Sequence, residues 1–186
     1  MKGCYGAFAI LCLTVSAQPV TYQLDAANSA VNFTLGDVLH TVHGAFKVKS
    51  GAIQFDPATG NASGEVVVDA ASGDSGSGAR DSRMKKNILE TQKYPDIVFR
   101  PDHVDGAVGS PGKSQIKVHG VFRIHGADHE IIMPGEVDTA PDRMTATLHF
   151  LIPYVEWGMK NPSTLFLRVE DKVAIDIRAV GRLQPR

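Results

Sequence analysis

From Ala30 onward, the chain repeatedly places apolar side chains at every second position. Val31, Phe33 and Leu35 share one parity, as do Val42, Phe46 and Val48, then Val66 and Val68, and then Ile116, Val118, Phe122 and Ile124. Met144, Leu148, Phe150 and Ile152 repeat the pattern, followed by Val173, Ile175 and Ile177. A period of two sends successive side chains to opposite faces, so each segment reads as a strand with one dry and one wet face. Buried parallel strands would give unbroken apolar runs. Half-wet strands in this number predict an all-β, antiparallel sheet closed or folded on itself.

The pattern predicts strands over 29–36, 40–49, 51–56, 63–71, 95–102, 113–125, 128–138, 142–152 and 165–181, the last in one or two pieces. Turn residues separate them at Asp56-Pro57, Thr59-Gly60-Asn61, Gly106 to Gly112, Gly126 and Ala140-Pro141-Asp142. Such short connections favour hairpins over helical crossovers. Two stretches break the rhythm. Ser72 to Gly78 is rich in Gly and Ser, and residues 79–90 then carry Met84, Ile88 and Leu89 on one narrow helical stripe. Ser77 is placed to cap this short helix and Pro95 to stop it, with the helix lying over one end of the sheet. Residues 153–164, containing Trp157-Gly158-Met159 and Asn161-Pro162-Ser163, read as a structured loop with an amphipathic anchor. No internal repeat or second domain is visible.

The N-terminus has the layout of an export signal. Lys2 is a minimal basic region, Ala7 to Val15 form an apolar stretch, and Val15-Ser16-Ala17 is a small-residue cleavage site before Gln18. The apolar run is too short to span a bilayer. The expectation is a periplasmic or secreted protein with residues 1–17 as signal peptide and 18–186 as one domain. Both cysteines, Cys4 and Cys12, fall inside the leader, so the mature domain has no disulfide and no thiolate chemistry. Cys12 follows the bulky Leu11, which argues against a lipid anchor.

Charge adds little. The formal charge of −1 becomes −2 without Lys2, and no basic stripe or polybasic tail suggests nucleic acid. The seven histidines raise the question of a metal. His119 and His125 share a face but lie about 20 Å apart at ~3.3 Å per residue, on the wet parity of Lys117 and Arg123. His40 and His43 point to opposite faces. Only His125 and His129, flanking the turn at Gly126, could meet across a hairpin, so neither a metal nor a cofactor is expected. No Gly-x-Ser-x-Gly elbow positions a nucleophile, and no Gly-Lys-Ser/Thr follows the glycine-rich loop. The chain does not read as an enzyme.

Other polar residues have two readings. Arg80-Asp81 is either a pair contacting a polar head group at a barrel mouth, or an acid favouring the helix N-terminus beside a solvated arginine. His40 shares parity with Val42 and Phe46, which places it inward near a strand end. The inward aromatics Phe33, Phe46, Phe55, Phe99, Phe122 and Phe150 either fill a solid core or line a hollow around an apolar guest. About eight strands is the size at which both outcomes occur.

Ordered motifs then point to a family. They begin with Tyr22-Gln23-Leu24-Asp25, Ser29-Ala30-Val31-Asn32-Phe33 and Val42-His43-Gly44-Ala45-Phe46, and continue with Gly51-Ala52-Ile53-Gln54-Phe55-Asp56. Ala71-Ser72 leading to Arg80-Asp81, Tyr94-Pro95-Asp96-Ile97-Val98-Phe99 and Gly120 to Gly126 complete the series. In this order the chain resembles the YceI-like proteins, which are exported, polyisoprenoid-binding and lipocalin-like. The resemblance implies a barrel whose elongated apolar pore holds an isoprenoid lipid such as a quinone tail or polyprenyl carrier, without catalysis or cofactor. It implies transient contact with a membrane and leaves open a homodimer and the identity of any protein partner. Candidate wall residues are Phe33, Leu35, Phe46, Ile53, Phe55, Val68, Phe99, Val118, Phe122, Ile124, Leu148, Phe150 and Ile175. Candidate mouth residues are His40, Arg80, Asp81, Met84, Ile88, Leu89 and Trp157. Burying one five-carbon prenyl unit at ~0.8 kcal/mol per methylene is worth about 4 kcal/mol, so ordering and entry costs must offset much of a long tail's gain. The competing reading is an exported, stress-related barrel with a filled core that acts through its surface, and a third is histidine-based binding of a metal or haem.

The leader reading predicts cleavage after Ala17. The intact mass of exported protein should correspond to a chain beginning at Gln18, and a mature species retaining Cys12 would contradict it.

Overall fold

A sheet with one dry face can bury it without a second layer by curling until its first and last strands meet. This chain does so in the computed structural model, which describes residues 19–36, 41–108, 111–164 and 168–185. The strands are β1 (Val20–Leu24), β2 (Ala30–Gly36), β3 (Thr41–Phe55), β4 (Ala62–Asp74), β5 (Asp96–Gly106), β6 (Gly112–Ile124), β7 (Ala127–Thr139), β8 (Met144–Ile152) and β9 (Val173–Pro185). Between β4 and β5 lies the helix α1 (Gly78–Arg83), continued by a π-helical turn at Met84–Ile88. From β2 to β9 each strand pairs antiparallel with the next, and β9 pairs back with β2. β1 occupies the same slot as β2, farther along. β2 pairs with the start of β3 and with Ala174 to Arg178, while β1 pairs with Ala52 to Phe55 and with Gly181 to Pro185. The strands therefore make a closed antiparallel barrel of eight staves, the first stave in two pieces.

The boundaries differ from the sequence expectation in four places, each for a local reason. β1 was not predicted, because only Val20, Tyr22 and Leu24 carry its alternation. β3 is one strand where two were expected. Val48 pairs with Val68 and Ser50 with Val67, so an extra residue sits in β3 and inward parity switches from Phe46 and Val48 to Ile53 and Phe55. β9 begins at Val173, and residues 165–167 of the expected strand lie outside the described residues. The helix is shorter than 79–90. Ser77 stands at its N-cap but makes no side-chain cap bond, and the helical path ends at Glu90, whose φ of 49° is left-handed, before Pro95 is reached.

The topology gathers the irregular segments at one rim. β4, β6 and β8 all run toward it, so α1, the β6–β7 turn at His125-Gly126 and the 153–164 segment all stand there. β7 pairs with β8 only from Gly135 onward, leaving its first half without a neighbour on that side. The preceding residue is Pro134, which has no N–H to give a ladder.

α1 is fastened to this rim by polar and steric means. Asp81 is buried, and its carboxylate accepts the Ser75 N–H at 2.9 Å and the Ser75 hydroxyl at 2.5 Å. Arg80 donates through Nε to the Ser75 hydroxyl oxygen at 2.8 Å and through Nη2 to the Ser75 carbonyl at 3.0 Å. Just beyond, Met84 lies over Gly73. A Cβ at Gly73 would come within 2.5 Å of the Met84 methyl and 2.7 Å of the Phe46 ring, so a larger residue there would push both side chains aside.

The bonds from Ser75 hold the Asp81 carboxyl below its ordinary value, burial opposing them. A depressed folded pKa gives stability that is complete above the ordinary carboxylate range and is lost as pH falls through the folded value. Asp81→Asn should therefore lower the melting temperature at neutral pH, with the gap to wild type closing as pH drops below about 4. Melting curves from pH 7 to pH 3 check this. A gap of constant size would make the contact one of packing and not of charge.

Candidate functional site

Curling the sheet turns one parity of every stave inward, and eight staves enclose more space than these side chains fill. A cavity of about 670 Å³ runs inside the barrel. Every wall residue proposed from sequence borders it: Phe33, Leu35, Phe46, Ile53, Phe55, Val68, Phe99, Val118, Phe122, Ile124, Leu148, Phe150 and Ile175. The aromatics do not close into a plug. Phe33 and Phe46 meet at a ring separation of 5.4 Å, and Phe122 and Phe150 at 6.4 Å. The barrel is hollow, which sets aside the filled-core alternative.

Several lining residues escaped the sequence reading. Tyr22 and Leu24 come with the unpredicted β1, and Met133 and Val137 lie on the inward parity of β7, where Pro134 and Gly135 blur the alternation. Tyr154 and Met159 reach the cavity from the segment after β8 and are buried despite their irregular backbone. At the rim opposite α1, Tyr22, Phe55, Val137 and Met144 are all buried.

The hydroxyls that border the cavity in its depth are engaged, and the buried Thr139 Oγ1, which has no partner, does not border it. The Tyr22 hydroxyl donates to the Met144 carbonyl at 3.3 Å, and burial pushes its pKa well above the usual phenol range. Tyr154 donates to the Glu170 carbonyl at 2.7 Å, and burial pushes it up to about 12. Ser29 donates to the Asp25 carbonyl at 2.7 Å and accepts the Val180 N–H at 3.0 Å. Such hydroxyls neither titrate near neutrality nor face a base, so the interior presents hydrocarbon.

The mouth candidates separate. Met84, Ile88 and Leu89 border the cavity, brought together by the π-helical turn, in which the Leu89 N–H reaches the Met84 carbonyl at 2.9 Å. Arg80 borders it too, whereas its neighbour Asp81 does not and faces Ser75. The pair is thus divided between the opening and the support behind it. Arg83, which the sequence reading missed, also borders the cavity and donates to the Pro162 carbonyl at 3.2 Å, linking α1 to the 153–164 segment. Its spacing of three from Arg80 puts both on one helical face, a signal available in the sequence. Trp157 does not border the cavity. It stacks on His129 with ring centroids 4.1 Å apart and planes 5° apart, and meets Phe122 at 6.0 Å, beside the unpaired half of β7. Burial lowers the His129 pKa, with Asp128 acting the other way. His40 lies outside the described residues.

Among the described residues, no group of three His, Cys, Asp or Glu side chains is arranged to hold a metal ion. His125 sits edge-on to Tyr94 at 4.9 Å, with its Nε2 3.6 Å from Glu90. One cluster that strand spacing could not show is Asp105, whose two carboxylate oxygens meet His103 at 3.2 Å and His119 at 2.9 Å from adjacent strands.

Comparison with known proteins agrees with this architecture. A family model described as a YceI-like domain matches residues 22–181. A polyisoprenoid binding domain from Saccharophagus degradans, implicated in plant cell wall breakdown, is 18% identical with a TM-score of 0.71, the match covering 88% of this chain and 98% of that one. Burkholderia cenocepacia BcnA is 22% identical with a TM-score of 0.68, over 84% and 98% of the two chains. The Campylobacter jejuni YCEI protein is 17% identical with a TM-score of 0.56, over 98% of each. No curated protein matches the chain. At these identities the solved structures speak to the fold alone, and it is the family model, spanning most of the chain from β1 to β9, that makes this protein a member of the YceI-like family.

Proposed function

We propose that this protein binds an isoprenoid lipid inside its barrel and carries or sequesters it without chemical change. The observation that carries the reading is the cavity itself, whose depth is lined by apolar side chains and by hydroxyls already engaged in hydrogen bonds. β6 has 13 residues. At ~3.3 Å per residue and a tilt near 40°, such a strand spans roughly 30 Å along the barrel axis, a tunnel shape suited to a tail and not to a compact solute. The description of the Saccharophagus degradans relative as a polyisoprenoid binding domain supports a branched, unsaturated tail as guest.

The non-catalytic part of the reading is supported by the hydroxyls of Tyr22, Tyr154 and Ser29, which border the cavity and are engaged in hydrogen bonds. No cofactor is required. The signal-like N-terminus supports action outside the cytoplasm, where an insoluble tail must be shielded from water between membranes. Transient membrane contact would serve loading, and the rim bearing α1 and the 153–164 segment is the place for it. A homodimer is compatible with this reading but is not needed for it, since one chain encloses the whole cavity.

Val118 on β6 tests the proposal, since it borders the cavity and pairs between Val104 and Met133. In a lipid-filled barrel, Val118→Phe places its ring where the guest lay. It should reduce bound lipid or shorten it, while the delipidated protein loses little stability. In a packed core the same change would cost ~1 to 3 kcal/mol. Bound-lipid mass and melting of the delipidated variant are read together, and a large stability loss with no lipid in the wild type would end the carrier reading.

A further inference from the structure

The β7–β8 seam leaves the barrel wall unpaired near the α1 rim. β7 lacks a β8 partner from Ala127 to Pro134, and β8 lacks a β7 partner from His149 to Ile152. The turn that follows β8, residues 153–159, stands at this seam. Its Tyr154 and Met159 border the cavity, so the turn itself is part of the cavity wall there. Its backbone hydrogen bonds are internal or run to Ile152 and Asp171, and among the described residues none reaches β7.

The turn is held against β7 by ring stacking. Trp157 lies flat on His129, with ring centroids 4.1 Å apart and planes 5° apart, and meets Phe122 at 6.0 Å. His129 shares the inward parity of Met133 and Val137, so the stack lies on the inner side of the sheet. Its Nε2 is buried there without a hydrogen-bond partner. A neutral imidazole tolerates this as an unused acceptor, whereas an imidazolium would carry a buried N–H with nothing to receive it. The attraction of an imidazolium to the indole face offsets only part of that loss. The titratable and charged groups on the elements around it are Asp128 and Glu130 on β7, Arg123 on β6, His125 at the turn between them and Glu156 beside Trp157. Of these, Asp128 favours the charged form of His129, while itself paired with Arg123, and burial outweighs it.

We propose that the 153–159 turn is a proton-sensitive strap over a lateral portal, closed while His129 is neutral and released when it is protonated, so that the lipid enters and leaves sideways between β7 and β8. The inference rests on the proposed lipid-binding function and adds the route and its control. End-on passage would have to thread a tail past α1, where Met84, Ile88 and Leu89 cover the cavity and the bonds between Asp81 and Ser75 pin the helix. Swinging the turn off the unpaired half of β7 breaks no ladder bond among the described residues. In the closed state burial makes His129 take up a proton less readily than it does in water. The closed state is therefore fully favoured above the ordinary histidine value of about 6.5, and the open state gains as pH falls below it.

Trp157 is the chain's only tryptophan, so its fluorescence reports the strap directly. The test loads the mature protein with geranylgeraniol, which does not ionise, and follows its transfer to neutral phosphatidylcholine vesicles between about pH 7.5 and pH 5. In wild type, acid should move the emission to longer wavelength, raise quenching by acrylamide and quicken lipid transfer severalfold. His129→Phe keeps a flat ring under Trp157 but cannot take a proton. It should melt at or above the wild-type temperature, and its emission and slow transfer should not change with pH. Trp157→Ala removes the anchor and should transfer quickly at both ends of the range. Wild-type emission and transfer that ignore pH, or a pH response that survives in His129→Phe, would overturn the strap. A Trp157→Ala variant that transfers no faster than wild type at neutral pH would overturn it as well. If geranylgeraniol does not bind at all, the lipid-binding function falls, and the fluorescence titration still decides whether His129 releases the turn.

Discussion

Everything in this molecule follows from closing one half-wet antiparallel sheet around a space that its own side chains do not fill. Closure gives every stave a neighbour on both sides over part of its length, leaves unpaired stretches at the β4–β5 and β7–β8 seams, and commits one parity of each stave to the inside. Leaving about 670 Å³ of apolar cavity without an apolar filling forgoes the burial that a packed core would gain. An apolar guest removes that cost. Under the proposed function the lipid would be the missing part of the hydrophobic core, and its binding would be read as added folding stability.

The rim that bears α1 is where this economy meets water. Its polar groups are arranged in two layers: Asp81 and Ser75 behind, fixing the helix, and Arg80 and Arg83 in front, bordering the opening. The hydrophobic side of the same helix, Met84, Ile88 and Leu89, covers the tunnel below them. A single short element thus supplies both an apolar lid and a cationic collar. The 153–164 segment completes the rim from the other side, joined to α1 by Arg83 and Pro162, and its Trp157 packs on His129 beside the half of β7 that β8 leaves unpaired.

The wall of the site was legible in the sequence because burial in a one-layer barrel is decided by parity, and parity survives uncertainty about where a strand begins. Phe33, Phe122 and Phe150 could be placed inward without knowing their neighbours. What parity could not show was whether the enclosed space is full, since that depends on the number and tilt of staves and not on any one of them. It also failed where the count slips by one, as at the β3 bulge between Val48 and Ser50, and where alternation is too brief to register, as in β1. Contacts between staves, such as His103 and His119 around Asp105, depend on register that a single strand does not encode. The family resemblance, carried by ordered motifs from Tyr22 to Gly126, named the architecture that the family model then matched over residues 22–181.

The central claim is that an isoprenoid lipid occupies the barrel, and native mass spectrometry of the exported protein, purified without detergent, tests it most directly. The account predicts an intact complex heavier than the bare chain by one lipid, whose release and fragmentation give a ladder spaced by five-carbon prenyl units. A stably folded population that is entirely unliganded, or one loaded with straight-chain fatty acid alone, would contradict it.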